Sequence, residues 1–237
     1  MNSVRIAMWS GPRNISTTMM RSFSSRSDTF VSDEPFYAHY LLRTGVKHPG
    51  REEILQSYKT DYQQVISDLR NDIPDNKTVW YQKHMTQHID PEDNLEWTKS
   101  LLNCLLIRNP NDVIPSYLKK NTLIDIDELG YLQQLQLLQY HDYQIPIVDA
   151  KDILMNPERM LMKICSVFKI DYKKEMLSWN KGPHPQDGIW GKYWYDTLWK
   201  STTFSLYKEN NSMIDGAYTD ILEKCILIYD ELYEYRI

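Results

Sequence analysis

Cysteine is scarce and scattered. Cys104, Cys165 and Cys225 are the three in the chain, spaced too widely for a disulfide framework or a metal-ligand pattern. Each falls within an apolar pattern, which predicts buried, reduced thiols. No apolar run approaches the length of a membrane span. No cleavable leader is visible either, because the first apolar stretch, Val4 to Trp9, is short and runs straight into polar Ser10 and Arg13. Nor is there an excess of positive charge: 27 Lys and Arg stand against 32 Asp and Glu, a net charge of −5. Nucleic acid and membrane surfaces are therefore not expected partners. What the 237 residues do contain is an ordinary apolar fraction, 42%, sufficient for one substantial core. Without a repeat, low-complexity tract or linker, residues 1–237 read as a single domain.

Short apolar runs alternate with helical periodicity. Strands are predicted at residues 4–9, 29–32, 78–82, 101–107 and 144–149, with helices at about 15–26, 51–71, 112–120, 128–141, 157–168 and from 215 onward. Asn111 or Asp112 is the expected cap of the fourth strand's helix. Strands separated by helices predict an α/β fold whose central, mainly parallel sheet of about five strands is covered on both faces. Residues 179–207, rich in Trp, Tyr, Gly, Pro and Lys without a period, read as a long functional loop.

The chain is organised around residues 4–23. An apolar strand is broken by Ser10, Gly11 and Pro12, and Asn14, Ser16, Thr17 and Thr18 then crowd a helix start. Unpaired N–H groups and the positive end of the helix dipole favour an anion there, and Arg13 adds a permanent charge on a planar fork. This is a phosphate cradle, but not the common nucleotide one. Counted from Gly11, the second Gly and the Lys of G-x-x-x-x-G-K-[ST] fall on Ser16 and Thr17, and only Thr18 fits. A metal-assisted ATP or GTP site is disfavoured. The sequons at Asn14, Asn76 and Asn210 bear on the compartment: a glycan on Asn14 would block the cradle, so a cytoplasmic chain is expected.

The Pro-basic-x-x-[ST]-Thr arrangement at Pro12–Thr18 resembles the 5′-phosphosulfate loop of sulfotransferases that use 3′-phosphoadenosine-5′-phosphosulfate (PAPS). A second stretch, Arg108-Asn-Pro-Asn-Asp-Val-Ile-Pro-Ser-Tyr117, is similar to that family's 3′-phosphate signature, R-[DN]-P-x-[DE]-x-x-x-S-[YF], at every defining position. A third, from Ile147 through Asn156-Pro157 to Phe168, matches a structural part of the family pattern. A looser fourth, Trp179 to Trp190, resembles the loop that closes over the nucleotide: Lys181 and Gly182 fit, Asn180 replaces an Arg, and Asp187-Gly188 stand in reversed order. The resemblance implies a three-layer P-loop NTPase-like fold. It also implies PAPS as donor, with PAP released, and transfer of a sulfuryl group to a hydroxyl or amine of a small-molecule acceptor. Arg13, Asn14, Ile15, Ser16, Thr17 and Thr18 would hold the 5′-phosphosulfate. Arg108 and Ser116 would hold the 3′-phosphate. Lys181, Gly182, Trp190 and Lys192 would close over the donor.

Sulfuryl transfer needs alignment, a base and charge stabilisation, and no metal is expected. Arg13, standing where the loop usually carries Lys, can clamp charge but is a poor proton donor. Ile15 replaces a usual Gly. Glu34, after the second strand, resembles the catalytic glutamate of bacterial and heparan-type sulfotransferases and is the first choice of base. His84 is the second. It follows Lys83 in a pattern one residue shorter than the Lys-x-His of cytosolic sulfotransferases, and suits proton transfer near neutral pH. Lys83 would stabilise the sulfonate. His84 and His88 have the spacing of a zinc pair, but the glutamate of that motif is absent. The alternatives are a small-molecule kinase using ATP and a nucleotide-binding module without catalysis. Acceptor identity and oligomeric state are not written in the sequence.

Overall fold

The computed structural model describes residues 3–209 and 213–237; the sequon at Asn210 lies outside them. Five strands, β1 (Val4–Ser10), β2 (Thr29–Asp33), β3 (Val79–Met85), β4 (Leu102–Ile107) and β5 (Ile147–Asp149), form one sheet in the order β2-β3-β1-β4-β5. Every pairing is parallel, with Val4 opposite Val79 and Ile6 opposite Leu102 fixing the central register.

Side-chain alternation divides the core into two layers. From β1, Ile6 and Met8 join Met19, Met20 and Phe23 of α1 (Ser16–Ser24) on one face. Residues of the helices Ala150–Met155 and Pro157–Val167 complete that layer. Ala7 and Trp9 point the other way, into a layer formed by parts of Tyr62–Arg70, Pro110–Leu118, Tyr131–Tyr140 and the closing helix Thr219–Glu234. All three cysteines are buried free thiols. Among the described residues no helix is long and apolar enough to cross a membrane.

Three local expectations are corrected. The helix predicted over 51–71 is two helices, Arg51–Ser57 and Tyr62–Arg70, because Tyr58 turns extended and the Asp61 side chain caps the second by accepting from the Gln64 N–H. The cap after β4 is Asn109, which accepts from the Asn111 N–H, rather than Asn111 or Asp112. The loop 179–207 contains two single-turn helices, Gly191–Trp194 and Asp196–Trp199.

Candidate active site

The C-terminal edge of the sheet opens into one pocket, the place where open parallel sheets bind ligands. At its first station the turn after β1 brings backbone to backbone: a Cβ on Gly11 would stand 2.3 Å from the Leu129 carbonyl oxygen, so only glycine fits. Arg13 and Ile15 then adopt left-handed φ values of 63° and 56°. Ile15 thus keeps a conformation that favours glycine, at a cost of about 1–2 kcal/mol for a β-branched side chain. Turns of this kind point successive N–H groups inward and make a concave anion site.

The two arginine stations meet. Arg13 Nε donates to Ser116 Oγ at 2.9 Å, and Arg108 Nη1 donates to the Arg13 carbonyl at 2.9 Å. Arg108 also lies 3.5 Å from Asp112. Burial, and then the like charge of Arg108, lower the pKa of Arg13. Asn14 is buried and anchors the loop to β4 by donating to the Leu106 carbonyl at 3.2 Å. Arg13, Asn14, Ile15, Ser16, Thr17, Thr18, Arg108 and Ser116 all line the pocket.

Beside that loop stands a buried ionic hub. Lys83 Nζ donates to Glu34 Oε1 at 2.6 Å, to Tyr195 Oη at 2.7 Å and to Asp33 Oδ1 at 2.9 Å. Tyr195 Oη lies 2.8 Å from both Asp33 oxygens and accepts from Trp190 Nε1 at 3.1 Å. Burial would lower the pKa of Lys83, but the two carboxylates outweigh it and hold the amine charged. Burial raises the pKa of Glu34, Lys83 opposes that, and the charge of Asp33 adds to the rise. Glu34 sits just past β2 at a φ of 44°, with its N–H bound to the Lys83 carbonyl at 2.9 Å. His88 approaches from a short turn, its Nε2 3.9 Å from Glu34 Oε2. Glu34, Lys83, His88 and Tyr195 line the pocket with the arginine stations.

Five of the predicted site residues lie elsewhere. β3 does not stop at Gln82 but runs to Met85, so Lys83 and His84 point to opposite faces. His84 is buried in the core layer, stacked on Trp9 at 4.1 Å, and burial pushes its pKa down to about 3. It does not line the pocket. Trp190 is equally buried, its indole spent on Tyr195. Lys192 is paired with Glu53 at 2.6 Å on the exposed surface. Lys181 is exposed and outside the pocket. Gly182 only anchors the loop, through its N–H to the Trp199 carbonyl at 2.8 Å and its carbonyl to Arg21 at 3.3 Å.

That loop is held by buried charge. Asp187 accepts from Arg21 Nη2 at 2.5 Å, from the His184 N–H at 2.9 Å and from Trp199 Nε1 at 2.9 Å, while the Gly188 N–H donates to Asp33 at 3.0 Å. Asp33, Tyr195 and His88 were not selected as site residues from sequence. Asp33 adjoins Glu34 and could have been found, but nothing local marks Tyr195, 162 positions from its partner Asp33. Among the described residues no group of three or more His, Cys, Asp or Glu side chains is placed to hold a metal.

Comparison with known proteins bears on the family and the fold. Among curated proteins the chain is 34% identical over 232 residues to branched-chain-amino-acid aminotransferase-like protein 2 of Arabidopsis thaliana, covering 96% of this chain and 41% of that protein. The chain therefore spans less than half of that longer relative. Its fold is shared with a sulfotransferase domain from the curacin biosynthetic pathway, at a TM-score of 0.60 and 14% identity, over 94% of this chain and 97% of that one. It is also shared with a sulfotransferase from Alicyclobacillus acidocaldarius, at a TM-score of 0.55 and 8% identity, over 100% and 98%. The family profile described as a sulfotransferase domain matches residues 4–234, and the chain belongs to that family.

Proposed function

We propose that the chain moves a sulfuryl group from PAPS to a hydroxyl or amine of a small-molecule acceptor and releases PAP. One observation carries this reading. Arg13 and Arg108 line the same end of the pocket, where Arg108 Nη1 bonds the Arg13 main-chain carbonyl, and among the described residues Arg13 has no carboxylate within ion-pair distance, whereas Arg108 lies 3.5 Å from Asp112. Like charges gathered at one end of a pocket are stabilised by a multivalent anion. The 5′-phosphosulfate belongs against the turn from Arg13 to Thr18, and the 3′-phosphate against Arg108 and Ser116. The loop residues Lys181, Gly182, Trp190 and Lys192 have no contact role in this reading.

In the transfer the acceptor's oxygen or nitrogen lone pair forms a bond to sulfur as the bond from sulfur to the 5′-phosphate oxygen breaks. The electron pair leaves on that phosphate oxygen, where Arg13 and the loop N–H groups offset the new charge. Glu34 takes the acceptor's proton. Lys83, fixed by Asp33 and Tyr195, offsets charge on the sulfonate oxygens. Because the base must be ionised, activity falls as pH drops through the raised Glu34 pKa, so the acid limb lies above the ordinary carboxylate range.

Glu34→Gln tests the assignment. It is expected to lower kcat by about 10²–10⁴-fold while PAP affinity, measured by calorimetry, stays within about twofold. Turnover with ATP and Mg²⁺ but not with PAPS, or no affinity for PAP, would overturn the reading.

A further inference from the structure

We infer that the acceptor is a small cationic alcohol, with a protonated or quaternary ammonium close to the hydroxyl that receives the sulfuryl group. This rests on the reading above and names the substrate class of the same pocket.

His88 joins the reacting end to the far end. Its Nε2 is 3.9 Å from Glu34, and its ring stacks on Tyr37 at 5.1 Å and on Tyr40 at 4.7 Å. An aromatic wall therefore begins one ring from the proposed base. Tyr37, Tyr40, His48, Tyr117, Trp194 and Glu128 line the pocket beyond it. Tyr37 Oη lies 2.8 Å from His48 Nδ1, and the His48 ring meets Trp194 edge-on at 5.7 Å. His88 is buried, and its Nδ1 has no hydrogen-bond partner among the described residues.

The charges around this end favour a cation. Burial lowers the pKa of both His48 and His88 and raises those of Tyr37, Tyr40 and Tyr117, so every titratable ring in the wall is neutral near pH 7. The carboxylate is Glu128, whose Oε2 accepts from Tyr117 Oη at 2.8 Å and whose Oε1 accepts the N–H groups of Ile124 at 3.1 Å and Asp125 at 3.3 Å. Its charge acts on Tyr40, His48 and Tyr117 together. Three cations lie nearby. Lys83 is paired with Glu34 and Asp33. Lys120 lines the pocket but is exposed, with its Nζ 3.4 Å from the Tyr193 carbonyl. Arg43 does not line the pocket and is paired with Asp90. Ring faces around a fixed negative charge stabilise an ammonium, whereas a neutral alcohol of the same shape gains only burial.

The test compares two alcohols that differ by one charge. Choline and 3,3-dimethyl-1-butanol have nearly the same shape, and their binding to the full PAP-saturated chain is measured by calorimetry. Choline is expected to bind at least about tenfold tighter. Tyr40→Leu and Glu128→Gln should each cut that preference several-fold, while an unchanged PAP affinity shows that the pocket is still folded. Equal or tighter binding of the neutral alcohol, tighter binding of phenol than of choline, or no measurable choline binding overturns the proposal. Failure of the parent chain to bind PAP counts against the donor reading alone, and the same pair of alcohols is then compared on the unloaded chain.

Discussion

The two ends of the pocket are built by different means. At the arginine end, the turn from Gly11 to Thr18 and the run from Arg108 to Ser116 are each continuous in sequence, and their hydrogen bonds run largely to backbone. At the other end, Asp33, Lys83 and Tyr195 come from distant parts of the chain and are joined by a buried ion pair and hydrogen bonds, and the adjoining loop is tied down by the buried Arg21–Asp187 pair. A site made from local turns tolerates change around it, because each turn sets its own geometry. A site made from buried charge fails as a unit, since every ion removed strands its partner in low dielectric.

That contrast can be broken by substitution. Asp187→Ala should have the largest effect on stability, a loss of about 3–5 kcal/mol, because it leaves the buried Arg21 guanidinium without its carboxylate and frees Trp199 and the His184 N–H. Urea unfolding measures it, and a loss below about 1 kcal/mol would mean that the loop is not held by charge. Arg108→Ala should do the reverse, weakening PAP by about tenfold to a hundredfold with little change in the urea midpoint, because this side chain is partly exposed.

His84→Phe sharpens the division further. The folded-state pKa of His84 is near 3, below its unfolded value, so the unfolded chain binds the extra proton first. The stability that the neutral ring contributes is intact above about pH 6.5. It is lost as pH falls towards 3. Its slope there is at most about 1.4 kcal/mol per pH unit. Phe keeps the stack on Trp9 and should flatten that slope in acid unfolding curves without altering PAP affinity. The smallest change is expected for Ile15→Gly: relief of the left-handed φ and lost packing against the α1 layer offset each other to within about 1 kcal/mol.

The arginine end was legible in the sequence because its chemistry is consecutive. The motif residues from Arg13 to Thr18, with Arg108 and Ser116, line one pocket. Lys83 and Glu34 were legible as residues at strand ends, although not as a bonded pair. His84 was misplaced by a strand boundary. Three more residues in β3 were enough to turn it into the core, because side chains alternate faces along a strand. The loop residues were misread because likeness of sequence order does not reveal where a side chain points: Trp190 is buried and Lys192 finds Glu53.

The sequence by itself determined the layered parallel sheet, since hydrophobic period and turn residues act over a few positions. It also determined the turn from Gly11 to Thr18, whose residues are consecutive. The tertiary structure alone decided which carboxylates share Lys83, which tyrosine joins them, and which rings line the far end of the pocket. Those depend on contacts such as Asp33 to Tyr195, 162 residues apart, whose strength comes from burial that exists only once the chain has closed.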